Sequence, residues 1–232
     1  MSIAGRLAEV RARIDAAARS AGRDPASIRL VAVSKTFPIE AVRAAFEAGQ
    51  RDFGENRVQE ALQKIERSTD LTIRWHLLGH LQTNKARKAA QAFATIQSVD
   101  GVELIEKLDR AALEAGRSPE LLIQVDLGRE ATKFGASPSE VPRLFEAAAA
   151  CRAARVIGLM TLPPAPETPE DARPWFRRLR ELRDEWKASG TPPDMLRELS
   201  MGMSGDFEVA IQEGATMVRV GTSIFGSRHV EP

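Results

Sequence analysis

The first pattern along the chain is a single apolar stripe. Ile3, Leu7, Val10, Ile14 and Ala18 recur at spacings of three and four with Arg and Glu between them, and Gly22 and Pro25 follow. That periodicity predicts an N-terminal helix, and the glycine and proline predict its end. The helix is expected to pack on the body of the protein. Glu9 and Asp15 argue against a mitochondrial targeting helix. Beyond it, short β-branched or apolar runs alternate with amphipathic stretches. Strands are predicted to begin near Arg29, Arg51, Ile73, Thr95, Leu121, Arg155, Leu196 and Thr216. Helices are predicted between them over 39–48, 56–67, 83–92, 102–115, 138–150, 173–188 and 204–213.

The first four strand starts are evenly spaced, about 22 residues apart, the length that a strand, a turn and a helix need together. Eight such units predict an α/β fold, a single (β/α)8 TIM-type barrel over residues 1–232 with the N-terminal helix as an extra element. An open doubly wound sheet shares the alternation, but no G-x-G-x-x-G follows a strand and the count of eight favours the barrel. The segment PPAPETP at 163–169 reads like a linker. Only two strand candidates follow it, too few for an independent sheet, so it is expected to be a long βα loop of the same domain. The next helix interleaves Arg173, Arg177, Arg178, Arg180 and Arg183 with Glu181, Asp184 and Glu185. A mixed-sign face of this kind predicts solvated surface rather than an RNA platform.

Composition narrows the function. Apolar residues are 43% and charged residues 28% of the 232, an ordinary globular balance. Lys plus Arg is 33 against 32 for Asp plus Glu, so the basic excess that nucleic acid or a membrane surface would want is missing. A lone cysteine, Cys151, excludes an internal disulfide framework and a multi-cysteine zinc site. No apolar run approaches a membrane span, and Arg6, Glu9, Arg11 and Arg13 interrupt any signal-like segment. A cytoplasmic monomer is expected, bound to neither nucleic acid nor membrane.

In a (β/α)8 barrel the active site lies at the C-terminal ends of the strands. Lys35 closes the apolar run Leu30-Val31-Ala32-Val33. A lysine there reaches solvent in most proteins. In a barrel mouth it is expected to sit in a partly desolvated cup, where the neutral amine attacks an aldehyde. That is Schiff-base chemistry, with a sugar-type carbonyl or pyridoxal phosphate as partner. Two small-residue turns, Ser200-Met201-Gly202-Met203-Ser204-Gly205-Asp206 and Val220-Gly221-Thr222-Ser223, follow the last two predicted strands. Glycine amides, hydroxyls and helix starts suit a phosphate there. Arg219 shares the strand face of Gly221; if that face is inward, its guanidinium stands where a pyridine nitrogen would lie, and otherwise it pairs with a helix carboxylate. Lys35, the cradle and Arg219 together describe a pyridoxal-phosphate site. His76 and His80 are four apart without the intervening glutamate of H-E-x-x-H, so no metal site is expected. Glu55 and Asn56 follow the Gly54 turn, where N-capping the next helix and contacting a ligand are both open.

The motifs VAVSKTFP around Lys35, FGENRVQEA at 53–61, WHLLGHLQTNK at 75–85, GLMTLPP at 158–164 and LSMGMSGDFEVAIQEGATMVRVGTSIFG at 199–226 resemble the pyridoxal-phosphate homeostasis protein family. Its members are also called pyridoxal-phosphate-binding proteins or proline synthetase co-transcribed homologues. The resemblance covers nearly the whole chain. It implies a single barrel like the N-terminal domain of alanine racemase, with pyridoxal 5'-phosphate as cofactor and an internal aldimine at Lys35. It also implies a phosphate held by Ser200, Gly221 and Thr222 with nearby backbone amides, Met201 included, and Arg219 at the pyridine nitrogen. Asn56 is implied near the cofactor ring. Arg57 stands where many members have Tyr, and Asp126 where many have Asn.

Two functions compete: a racemase-like enzyme, and a carrier that buffers or delivers the cofactor to apo-enzymes without turnover. Racemisation wants a base on each face of the cofactor, and in alanine racemase the second is a tyrosine from an added domain. This chain has no tyrosine. His76 or His80 would substitute only from the far face. The carrier is favoured, with no catalytic residue expected. An aldolase using Lys35 on phosphorylated sugars is a third reading. Lys133 is a further candidate for handling protons or a released cofactor.

Overall fold

The structure, a computed structural model, describes residues 1–128 and 134–226; Lys133 lies outside the described residues. Eight parallel strands close into a barrel in chain order: β1 (Arg29–Val33), β2 (Asp52–Glu55), β3 (Arg74–Leu77), β4 (Thr95–Val99), β5 (Glu120–Gln124), β6 (Arg155–Met160), β7 (Glu198–Ser200) and β8 (Met217–Val220). The seam joins the two ends of the chain, with Val31 beside Arg219 and Ala32 beside Val220. Every expected strand is present, and the single (β/α)8 barrel stands.

The helices are α1 (Ile3–Ser20), α2 (Ile39–Glu47), α3 (Val58–Glu66), α4 (Ala86–Ala92), α5 (Val102–Glu114), α6 (Val141–Ala149), α7 (Arg173–Ala188), α8 (Phe207–Gln212) and α9 (Thr222–Phe225). In α1 the side chain of Ser2 accepts from Gly5 N, and the stripe Leu7, Val10, Ile14, Ala17 and Ala18 is buried against α2, α8 and α9. Several helices start later than the periodicity suggested. Helix α3 begins at Val58, because Arg57 is still extended. Helix α8 begins at Phe207, because 203–206 form a turn closed by the Asp206 carboxylate on Met203 N. The one-turn helix α9 carries no periodic signal and was not expected. The 163–169 segment is a βα loop, and the Thr168/Asp171 capping box stops it just before α7. On α7, Arg173, Arg177 and Arg180 converge on the carboxylate of Glu213, which follows α8.

Most of the core lies between the strands and the helix ring. The barrel lumen is different. One side holds a small apolar group of Leu122, Ile157 and Met160. Val31, Val33 and Met217 also face inward, and beside them Asp52, His76, Gln97, Ser200 and Arg219 are all buried. Such lumens are usually filled with branched apolar residues, so this column of polar side chains marks the site.

Candidate functional site

Strand parity carries Val31, Val33 and then Lys35 toward the same side, that of Arg219 and Gly221 across the seam. A Cβ added to Gly221 would stand 3.2 Å from the Val33 carbonyl, so the last βα turn lies directly beside the strand that leads to Lys35. The Phe37 and Phe225 rings, 5.2 Å apart, tie the two turns together. From α1, Arg6 donates to the carbonyls of Ile224 and Phe225 at 2.6 and 3.3 Å. The extra N-terminal helix therefore anchors the C-terminal turn of the barrel.

Lys35 itself is exposed, which corrects the partly desolvated cup expected for it. Strand β1 ends at Val33, and the turn lifts the lysine past the rim. That turn is strained: Thr36 has φ +68°, a left-handed conformation that a β-branched residue rarely adopts. The strain is held from beneath. Glu60 Oε1 accepts from Thr36 N at 2.6 Å. Lys64 Nζ donates to the Ser34 carbonyl at 2.8 Å, to Glu55 Oε1 at 2.7 Å and to Glu60 Oε1 at 2.9 Å. The Ser34 hydroxyl donates to Glu55 Oε1 at 2.7 Å. Both neighbours of Lys35 are thus fixed by one buried charged cluster. Burial pushes the Glu55 carboxyl up, and the Lys64 ammonium and Ser34 hydroxyl only partly offset this. Its Oε2 is buried without a hydrogen-bond partner.

Across the seam the two small-residue turns meet. The Ser204 hydroxyl accepts from Gly221 N at 3.1 Å and Ser223 N at 3.5 Å. It is Ser204, not Ser200, that lies on the amides at the start of α9. Gly202 makes the approach possible, with φ +92° and a missing Cβ that would sit 2.6 Å from the Ala210 Cβ. The amides and hydroxyls of this cradle suit an oxyanion, and Thr222 is exposed beside it. Together with the free amine of Lys35, the donor set fits an aldehyde bearing a phosphate.

Arg219 points inward, as one of the two readings required. Its Nη1 donates to Ser200 Oγ at 2.7 Å and its Nη2 to the Thr161 carbonyl at 2.9 Å. Full burial pulls this guanidinium down to about 10, with the Asp206 carboxylate opposing. Two further expectations change. Ser200, at the end of β7 with its side chain in the lumen, spends its hydroxyl on Arg219 and Gln97. Met201 is buried in the shell between strands and helices, with its N–H given to Met217 O. The cap reading of Asn56 fails too, because Arg57 occupies the N-cap position of α3. Asn56 instead lines a cleft of about 490 Å³ with Arg57, Glu60, His80 and Lys85.

His76 is buried within the barrel, with Nε2 3.0 Å from Asp52 Oδ1 and Nδ1 3.1 Å from Gln97 Nε2. His80 is at the mouth, 3.4 Å from Asp100 and stacked on Phe134 at 3.6 Å. The pair therefore diverges, and among the described residues no group of three or more His, Cys, Asp or Glu is placed to hold a metal. No helix of the described residues is long and apolar enough to cross a membrane. Sequence reasoning missed Arg6, Ser34, Glu60, Lys64 and Gln97 as site residues, and had Ser204 only as part of the Ser200–Asp206 turn. The available signals were the Glu60–Lys64 spacing of four and the long polar side chain of Gln97 in the middle of a fully buried strand.

The family model for the alanine racemase N-terminal domain matches residues 6–229. The pyridoxal phosphate homeostasis protein of Aquifex aeolicus is 44% identical over 228 residues, covering 98% of this chain and 99% of that one. PipY of Synechococcus elongatus, solved with PLP bound, superposes with a TM-score of 0.83 at 44% identity, over 97% of this chain and 100% of that one. Alanine racemase of Clostridium difficile superposes with a TM-score of 0.75 at 16% identity, over 99% of this chain and 58% of that one, a likeness of fold alone.

Proposed function

The chain belongs to the alanine racemase N-terminal-domain family and, within it, to the pyridoxal phosphate homeostasis proteins, and from that premise we propose that it binds pyridoxal 5'-phosphate in order to buffer or deliver it. The observation that carries the reading is the seam. It sets Val33, two residues before Lys35, against the Gly221 turn with its amides and the Ser204 hydroxyl, with the inward guanidinium of Arg219 on the same strand face as Val31.

Lys35, the exposed amine of the turn after β1, would be the residue that holds the cofactor through its aldehyde. Bound this way, the cofactor supplies an electron sink for amino-acid chemistry. Arg219 weakens that sink, because a guanidinium does not hand a proton to the ring nitrogen as a carboxylic acid would. The amides of Gly221 and Ser223, which donate to Ser204 Oγ in this structure, would hold the phosphate, with Ser204 and Thr222 as hydroxyl partners. Glu60 and Lys64 keep the Lys35 turn in its strained form.

Absence of turnover follows from the bases on hand. There is no tyrosine, and the ring nitrogens of His76 are committed to Asp52 and Gln97. His80 remains at the mouth, tied to Asp100 and Phe134. An exposed lysine at an open rim suits handover to apo-enzymes of the cytoplasm by a monomeric carrier.

Mass spectrometry of the borohydride-reduced complex tests ligand and residue together. The peptide bearing Lys35 is expected to gain a reduced pyridoxyl-phosphate group. Absence of that adduct would favour sugar-aldolase chemistry at Lys35. The loaded protein, incubated with L-alanine, is expected to leave its chirality unchanged while passing cofactor to an apo-enzyme; robust racemisation would establish the enzyme reading instead.

A further inference from the structure

The polar column in the lumen is directional. Arg219 Nη1 donates to Ser200 Oγ, so the Ser200 hydroxyl is free to donate onward, and Gln97 Oε1 lies 2.6 Å away to accept it. With its oxygen so engaged, the Gln97 amide turns its nitrogen to His76 Nδ1 at 3.1 Å and to Met217 Sδ at 2.9 Å. A ring nitrogen that accepts is unprotonated, so the proton of His76 is on Nε2, which faces Asp52 Oδ1 at 3.0 Å. Asp52 is the terminus. Burial alone would raise its carboxyl, but the hydrogen bonds from His76 and from Arg74, whose Nε is 2.8 Å away, hold it well below the usual carboxylate range. Every donor in the series points the same way, from the upper mouth to the lower rim.

We propose that Gln97, His76 and Asp52 are positioning residues for Arg219, holding its guanidinium through Ser200 in the orientation that meets the cofactor's ring nitrogen. The inference rests on the cofactor reading above, but the column exists in the cofactor-free chain and is tested there first. Arg219 needs such support. It is buried, and it hydrogen-bonds to a hydroxyl and a carbonyl rather than to a carboxylate. The charge that acts on it is the buried Asp206 carboxylate, which makes no hydrogen bond to the guanidinium among the described residues. At the far end of the series Asp52 is held by Arg74. Groups that both donate and accept along a chain polarise one another, so each bond of the series helps to fix the next, from Asp52 up to the guanidinium. Shape alone would be served better by branched apolar side chains, which fill most barrels of this kind.

Two variants and one spectrum test this. In the cofactor-free wild type, 15N NMR is expected to show His76 protonated on Nε2 and bare on Nδ1; the opposite tautomer reverses the series and overturns the proposal. Gln97→Met interrupts the column without adding charge. Loaded with pyridoxal phosphate, it is expected to form the Lys35 adduct but to release the cofactor about fivefold faster, the effect of one lost hydrogen bond. The pH midpoint of its visible band is expected to move as well. Gln97→Glu keeps the acceptor for Ser200 and loses the donor to His76. It is expected to restore wild-type release while His76 becomes protonated on both nitrogens. Release unchanged in Gln97→Met, or lost equally in both variants in step with melting temperature, overturns the proposal. If Gln97→Met does not fold, the release rate and the His76 spectrum of Gln97→Glu decide alone.

Discussion

Replacing Lys64 by Met is the most informative single perturbation. The Lys64 side chain is 9% exposed and that of Glu55 is 0% exposed, so the substitution leaves a fully buried carboxylate without its counter-ion. Two outcomes are open to Glu55: to remain charged at a cost of roughly 3–5 kcal/mol, or to take up a proton. The second sets a ceiling. A glutamate with an unfolded pKa of about 4.3 costs roughly 3.7 kcal/mol to protonate at pH 7, at about 1.4 kcal/mol per unit. The expected loss at pH 7 is therefore about 3–4 kcal/mol, equivalent to roughly 10 °C in Tm for a chain of this length.

The sign with pH is specific. Burial already raises Glu55 in the folded wild type. The folded state therefore binds the proton more tightly than the unfolded state, and the penalty grows as pH rises through that window. Without Lys64 the folded pKa rises further and the window widens upward. Urea unfolding of both cofactor-free proteins at pH 5, 6 and 7 should show the gap shrinking by about 1.4 kcal/mol per unit of acidification. Adding Glu55→Gln to the Lys64 variant should recover most of the loss, because both charges are then gone. A gap below about 1 kcal/mol, or one that is flat with pH, would refute the idea that the cluster beneath Lys35 is a desolvated ion pair.

Glu60→Ala removes the acceptor from the strained Thr36 amide; cofactor uptake at Lys35 should slow about tenfold, read by the rate of the visible band, with Tm changed by only a few degrees. Gly202→Ala forces a Cβ against Ala210 at a left-handed φ, and should cost about 1–3 kcal/mol in urea unfolding. Burial first, then the Asp109 and Glu106 carboxylates, push the Cys151 thiol up to about 11; alkylation at pH 8 should run on the order of 100-fold slower than for an ordinary exposed cysteine. Asp52→Asn should destabilise most at neutral pH. The wild-type carboxyl titrates well below its unfolded value, so its stabilisation is full above the usual carboxylate range and is lost only as pH falls through the depressed folded value; the gap between the two proteins should stay constant down to about pH 5, start to narrow below about pH 4 and still be present at about pH 3.

Much of the architecture was legible in the chain. The alternation of apolar runs and amphipathic stretches placed all eight strands, because a strand buried on both faces and a helix packed on it each leave a periodic imprint. Lys35, Arg219 and the two small-residue turns were found by asking what sits at strand ends. The errors cluster where periodicity says nothing. Asn56 was open between a cap and a ligand contact, and the cap role goes to the extended Arg57 that follows it before α3 begins. Ser200 looked like a cradle residue, but parity turns its hydroxyl into the lumen, and Ser204, four residues on, lies on the amides instead.

By itself, then, the amino-acid order determined which elements form and which residues end them, since both depend on near neighbours and on a repeating apolar face. Only the closed barrel decided that the turn after β1 lies against the turn after β8, because that pairing joins opposite ends of the chain. It also decided that Asp52, His76, Gln97, Ser200 and Arg219 form one series. Five strands contribute one side chain each, and no stretch of sequence contains the contact. Desolvation works in the same way. Whether Glu55 and Lys64 are a surface pair or a buried one depends on what packs over them, and that is a property of the whole fold.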